Sequence, residues 1–274
     1  MTGSWRTGQS THRPHAGVGP SPVRTEPIAP VKLAVVIPAF NEARTIARVA
    51  TAACAAGLPV IIVDDGSTDG TADRLRDLPV TLIRHAVNAG KGASLWDGMQ
   101  RAIADGAQAV ITMDGDGQHR ADDLPLLVDA ALRHPARLII GARLQQRQQM
   151  PRLRRFGNAM ADFWISWAAG WPITDTQSGF RLYPAAVIRH LERANRRAPG
   201  FVFESEVLIE ATRAGVLPLA VPIDAIYHPG GRASHYRPIL DTLLIIRMVA
   251  GKLLARGFYL RGLWRSLQPT RTAD

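Results

Sequence analysis

The chain has one cysteine, few aromatic residues, no acidic side chain from 242 to 273, and no apolar run of bilayer-spanning length. Each scarcity excludes something. A lone Cys54 rules out an intrachain disulfide framework and a cysteine-rich metal site, and it fits a reducing compartment. Aromatics are 6% and are not interleaved with basic residues as in a stacking platform for single strands. Zinc-finger spacing is also missing. Nucleic acid is therefore not an expected partner, although a net charge of +10 invites some polyanion: nucleic acid, a nucleotide diphosphate or an anionic membrane face. No GxGxxG pattern follows the first apolar run, which argues against a dinucleotide oxidoreductase. Residues 1–30 lack usable periodicity and are rich in Pro, Gly, Ser and Thr, the composition of a disordered tail. They also lack the apolar stretch of a signal peptide.

What remains is a 46% hydrophobic chain of 274 residues, enough for one large domain or a domain with an appendage. From residue 31, strand and helix patterns alternate. VKLAVVIPAF (31–40) reads as a buried strand stopped by Pro38, followed by a helix over 42–56. VIIVDD (60–65) is a second strand, with a helix expected to start near Ser67 or Thr68. VTLIR (80–84), AVITMD (109–114) and RLIIGA (137–142) are further strands, separated by helices over about 91–105 and 121–133. Residues 155–169 and 203–214 read as helices, 173–183 as irregular and 216–223 as a short strand. This order predicts an α/β fold with a mostly parallel central sheet flanked by helices. The expected catalytic unit is 31–235, and 236–274 is an extension.

Parallel sheets bind ligands beyond the carboxyl ends of their strands. The polar candidates gather there: Asn41 and Glu42, Asp64 and Asp65, Asp114 and Asp116, then Arg143. In ITMDGDGQH (111–119) both carboxylates can approach one cation. A hard divalent ion offsets their repulsion and keeps positions open for phosphate oxygens. Alternatively the stretch is a solvated acidic turn. Gln118 and His119 could add a ligand or a hydrogen bond. Asp64 could accept from a base N–H or a ribose hydroxyl, whereas Ser67 to Asp69 suit a helix cap. NAGKGASL (88–95) lets backbone come close and offers Lys91 to a phosphate, but it is not a P-loop. Arg143, Arg147, Arg152, Arg154 and Arg155 could hold a second anion or form a solvated basic face. Residues 239–267 mix Leu, Ile and aromatics with Arg247, Lys252, Arg256, Arg261 and Arg265. Such a basic, amphipathic section suits an anionic membrane surface, or packing on the domain or a partner.

Taken together, VVIPAFNE (35–42), VDDGSTDGT (63–71), NAGKGASL (88–95), MDGDGQH (113–119) and TQSGFRLY (176–183) resemble the inverting family 2 glycosyltransferases. The branch they look most like is the polyprenyl- and dolichyl-phosphate sugar synthases. The resemblance implies a GT-A fold and a nucleotide-diphosphate-sugar donor, UDP- or GDP-linked. It implies that Pro38, Ala39, Glu42, Asp64 and Asp65 surround base and ribose. Asp114 and Asp116 match the metal-binding D-x-D for Mg²⁺ or Mn²⁺, with Gln118 near the ion. Arg143 and a basic residue near Arg155 match positions holding a lipid phosphate, and Arg232, Ser234 and His235 resemble a late phosphate-gripping loop. Many members of this branch carry transmembrane helices after the catalytic domain, and this sequence has none. The expected location is peripheral, on the cytoplasmic face of the inner or plasma membrane. A polyprenyl phosphate acceptor needs no proton removed, whereas a hydroxyl of a glycan or lipid needs a general base. Asp175 is then the first candidate, and Glu204 and Glu206 are weaker ones.

Overall fold

Leu33–Ala39 contains no polar side chain, and all seven residues are buried. A strand covered on both faces requires that composition. This strand, β1, is the hub of the sheet. β2 (Val60–Asp64) pairs with it in parallel on one side and β4 (Ala109–Thr112) on the other, while β3 (Thr81–Arg84) extends the sheet beyond β2. The full order is β3-β2-β1-β4-β6-β5-β7, with β5 Leu138–Ala142, β6 Arg181–Pro184 and β7 Pro218–Pro222. β6 runs antiparallel between β4 and β5, and all other pairs are parallel. The structure, a computed structural model, describes residues 31–144, 152–193, 200, 202–224 and 238–269.

Side chains of β1 alternate between two apolar layers. Leu33, Val35 and Ile37 meet α1 (Ile46–Ala55) and α3 (Leu124–Arg133). Ala34 and Val36 meet α2 (Lys91–Ala104), α4 (Arg152–Ala169), α5 (Ala185–Arg193) and α6 (Val202–Arg213) in the other layer. α7 (Pro238–Leu254) joins that second layer through Val249 and Leu253, and α8 (Leu260–Ser266) packs along α4. Among the described residues no helix is long and apolar enough to cross a membrane.

The mostly parallel α/β expectation holds, with three local corrections. No α-helix starts at Ser67 or Thr68; only a short 3-10 turn forms at Ala72–Leu75. The residues that looked like a cap face the other way. Ser67 Oγ accepts the Asn41 N–H (2.8 Å), Thr71 Oγ1 the Glu42 N–H (2.8 Å) and Asp69 Oδ2 the Ala43 N–H (3.1 Å). Donors of a neighbouring loop thus outcompete the helix's own. The stretch 173–183 is not all irregular, since β6 begins at Arg181. A buried arginine at its start breaks the apolar signature of a strand. Finally, the first helix begins at Ile46 rather than 42, after a turn in which Asn41 has φ 54°.

Candidate active site

β1, β2 and β4 run in parallel and deliver Asn41–Glu42, Asp64–Asp65 and Asp114–Asp116 to one end of the sheet. The turns there are knitted together. Thr45 Oγ1 lies 2.8 Å from the Gly115 carbonyl and 3.0 Å from Glu42 Oε2. A Cβ on Gly115 would fall 3.2 Å from the Pro38 carbonyl, so Pro38 and Ala39 form the buried floor beside Asp114.

The two aspartates of the β4 end have different surroundings. Asp114 Oδ1 pairs with Lys91 Nζ at 2.7 Å, and the same ammonium reaches Glu204 Oε2 at 2.9 Å. Burial works against ionisation of Asp114, but Lys91, with smaller help from His119 and Arg143, holds its carboxyl down at about 2. Burial also opposes the Lys91 charge, and Asp114 and Glu204 more than offset it, so the pKa of Lys91 is raised. Asp116 is pushed the other way. Burial and then the Asp114 charge raise its pKa, against which the Gln118 N–H at 2.9 Å is a modest counterweight. Burial keeps His119 below its usual pKa, and the imidazole stacks on Phe180 with 5.4 Å between centroids. Gly179 completes this wall: a Cβ there would fall 2.7 Å from Asp114 Oδ2.

At the β2 end both carboxylates are turned inward. Asp65 accepts the N–H groups of Ala89 and Gly90, each at 2.8 Å, and contacts His85 Nδ1 at 2.7 Å. It therefore fixes the loop that sets Lys91 at the start of α2. Asp64 accepts the Ser67 N–H through Oδ1 (3.1 Å). Its Oδ2 lies 3.2 Å from Arg84 Nε, close enough for charge attraction but not aligned as a hydrogen bond, and is a buried acceptor without a donor among the described residues.

Arg143, one residue past β5, is buried and forked onto Asp175: Nε to Oδ2 at 2.9 Å and Nη2 to Oδ1 at 2.7 Å. Asp175 has φ 53° and also accepts the Arg143 N–H. Its turn is held by Asp162 of α4, which accepts the N–H groups of Asp175 (3.3 Å) and Thr176 (2.8 Å). Below it the fully buried Arg181 donates to the carbonyls of Thr176 (2.7 Å) and Glu204 (2.8 Å). Sequence reasoning gave Asp162 and Arg181 no role. Arg181 was visible only as a charge inside TQSGFRLY, and Asp162 as an acid within an otherwise basic helix.

The family model for glycosyl transferase family 2 matches residues 34–191, which is more than half of the chain. The chain belongs to this family. It is similar to the UDP-N-acetylglucosamine–dolichyl-phosphate N-acetylglucosaminyltransferase of Methanococcus voltae, at 29% identity over 80% of this chain and 95% of that protein. The undecaprenyl-phosphate mannosyltransferase of Micrococcus luteus is 27% identical over 74% and 87%. Among solved structures, the glucosyl-3-phosphoglycerate synthase of Mycobacterium tuberculosis, in complex with Mn²⁺ and UDP-glucose, superposes with a TM-score of 0.57 at 22% identity, covering 82% of this chain and 78% of that one. That likeness shows the fold, which is of the GT-A type.

Asp114 and Asp116 bring two carboxylates to the end of β4, and among the described residues no group of three His, Cys, Asp or Glu side chains is placed to hold a metal ion on its own. Asp116 carries a charge that burial and Asp114 both disfavour, which a bound cation would relieve. Oxygens of a diphosphate would complete such a shell. Arg155 lies exposed in the first turn of α4, and Arg147, Arg232, Ser234 and His235 lie outside the described residues. A cleft of about 550 Å³ between α6 and α7, lined in part by Glu206, Arg247 and Lys252, shares none of the strand-end residues.

Proposed function

We propose that this family 2 glycosyltransferase moves a sugar, with inversion, from a UDP- or GDP-linked donor to a polyprenyl phosphate at a membrane surface, using Mg²⁺ or Mn²⁺. One observation supports the choice of acceptor: the three carboxylates that the sequence offers as general bases are each engaged by a cation. Asp175 is forked by Arg143, Glu204 is paired with Lys91, and Glu206 with Lys252 at 2.8 Å. A cation beside a carboxylate lowers its basicity, which disfavours it as the base that a hydroxyl acceptor needs. A phosphate acceptor arrives ionised and needs orientation instead. The names of the M. voltae and M. luteus relatives, which cite dolichyl and undecaprenyl phosphate, support the same reading.

In this proposal Asp114 and Asp116, with Gln118 beside them, would hold the metal. The bound ion supplies charge neutralisation for the departing diphosphate. Lys91 keeps Asp114 ionised for that task. Asp64 offers its undonated Oδ2 to a base N–H or ribose hydroxyl, over the floor of Pro38, Ala39 and Glu42. Asp65 acts through the loop it holds. Arg143 and Arg155, with Arg232, Ser234 and His235 as the resemblance implies, orient the acceptor phosphate. Its oxygen bonds to the anomeric carbon from the face opposite the leaving group. The anomeric C–O bond breaks and its electron pair leaves with the nucleotide diphosphate.

The test is a transfer assay with purified protein, Mg²⁺ or Mn²⁺, a panel of UDP- and GDP-sugars, and polyprenyl phosphate, read by mass spectrometry. The expected product has the mass of the lipid phosphate plus one sugar. Donor binding without transfer to that lipid would sink the reading and point to a hydroxyl acceptor.

A further inference from the structure

α4 carries an apolar stripe on its outer side. Phe156, Met160, Phe163, Trp164 and Trp167 are spaced so that a 3.6-residue repeat gathers them on one face. Phe156 is 64% exposed, and Met160 and Trp164 are exposed as well. α8 and the residue that follows it repeat the device with Leu260, Trp264 and Leu267, spaced four and three apart and 70%, 69% and 66% exposed. α7, packed on α4 and α6, leaves Leu243, Ile246 and Leu254 exposed. A soluble surface rarely collects this many large apolar side chains without a partner for them.

α8 is firmly seated on α4. Trp167 Nε1 donates to the carbonyls of Phe258 (3.0 Å) and Tyr259 (3.3 Å). The Tyr259 ring rests against Gly170 and Gly262, where a Cβ on either glycine would clash with it. Phe258 and Tyr259 are consecutive left-handed residues, φ 61° and 44°. Such a pair persists only where the surroundings hold it.

Charge decides what covers these helices. Arg152, Arg155, Arg247, Arg256, Arg261 and Arg265 are exposed on the same three helices or the turn between them. Two acids stand on these helices: Asp162 of α4, committed to the Asp175–Thr176 turn, and Asp241 in the first turn of α7, after which the sequence has no acid from 242 to 273. A second copy of the chain would bring like charges together. We infer that the α4–α8 face, with α7 beside it, docks on an anionic lipid bilayer, its tryptophans at the headgroup level and its arginines on lipid phosphates. The inference rests on the membrane-acceptor reading and extends it. α4 would meet the bilayer with one side while Asp162, on the same helix, holds the turn that clamps Arg143.

The full chain is to be floated with phosphatidylcholine vesicles, with and without phosphatidylglycerol, all free of polyprenyl phosphate. The parent is expected to float with the anionic vesicles. Phe156→Asp combined with Trp264→Asp should cut that partition about tenfold or more, because two exposed aromatics lose their apolar burial. Trp264→Phe guards against misfolding: it should keep most of the binding, with melting curves confirming that each variant is folded. Arg261→Glu with Arg265→Glu should weaken binding about tenfold to the anionic vesicles alone. Folded variants that float like the parent would overturn the docking face, as would a parent dimer that Trp264→Asp turns into a monomer. A parent that transfers sugar to a short, water-soluble prenyl phosphate yet ignores vesicles also overturns the docking face, and leaves the acceptor reading standing. Vesicle binding without any such transfer has the reverse meaning.

Discussion

Two aspartate pairs end two parallel strands that flank β1, and the fold treats them in opposite ways. At the end of β2, Asp64 and Asp65 are buried, and Asp65 spends its oxygens on the Ala89 and Gly90 N–H groups and on His85. At the end of β4, Asp114 is answered by Lys91, while Asp116 carries a charge that its surroundings disfavour. Similar acidic patterns at equivalent strand ends therefore do different work. One carboxylate is structural because backbone donors saturate it. The other, Asp116, keeps a charge that burial and Asp114 both disfavour, and in the proposed function that charge meets the metal.

The sharpest way to break that comparison is Asp116→Ala. Removing this carboxylate should lower transfer on the order of 10²- to 10³-fold, the usual scale for losing one charge-stabilising group at a reaction centre. Calorimetric titration of donor with Mn²⁺ should lose its metal-dependent component, while the melting temperature stays close to that of the parent. Unchanged metal-dependent binding would remove Asp116 from the site.

Lys91→Met attacks the other member of the pair. It strands the Asp114 and Glu204 carboxylates beside each other, and should cost about 3 kcal/mol, as expected when one partner of a largely buried pair is deleted. The effect has a pH signature in metal-free protein. The folded carboxyl of Asp114 is depressed to about 2 from an ordinary 3.8. Its contribution is thus complete above the unfolded value and is lost as pH falls from about 4 towards 2. Denaturant melts across that window should fall more steeply for the parent than for Lys91→Met. Parallel curves would show that Lys91 is not what depresses Asp114.

Asp65→Ala tests the structural half. The change leaves the Ala89 and Gly90 N–H groups without their acceptor and should cost about 2 kcal/mol. Activity should fall along with stability, since the loop that sets Lys91 loosens, and cooling should restore part of it. A variant of parent stability without donor binding would move Asp65 to the ligand-contacting group.

Much of this was legible from residue patterns. The strands β1, β2 and β4 are nearly pure apolar runs ending in polar groups, and burial on both faces of a parallel sheet demands such runs. The family followed from the order of several weak motifs along the chain. What stayed hidden were relationships between distant side chains. Ser67, Thr68 and Asp69 carry the local signs of a helix cap, and no local rule reveals that the loop at 41–43 claims them. Asp175 looked like a spare carboxylate because its partner, Arg143, is 32 residues away. β6 was obscured by Arg181, whose guanidinium is satisfied by carbonyls that only the folded chain brings near. In each case a polar side chain was read by its neighbours in sequence, and its meaning came from its neighbours in space.

Asp69 gives the smallest effect and sets the outer limit of the comparison. It is a third acid in the β2 loop, exposed, accepting the Ala43 N–H at 3.1 Å and the Thr71 N–H at 3.0 Å. The slight burial of its carboxyl would raise the pKa, but its hydrogen bonds to Thr71 and Ala43 outweigh this and lower it. The sign is that of a stabilising acid: its contribution is present above the unfolded carboxylate pKa and fades as pH falls through the lower folded value. Water competes for every one of these bonds, so Asp69→Ala should cost less than about 1 kcal/mol in denaturant melts at neutral pH. Asp69→Asn, which keeps an acceptor, should cost less still. A loss matching that of Asp65→Ala would mean that the tie between 41–43 and 67–71 belongs to the fold's foundation. The division between a structural Asp65 and an Asp116 whose charge is disfavoured would then have to be drawn one loop further out.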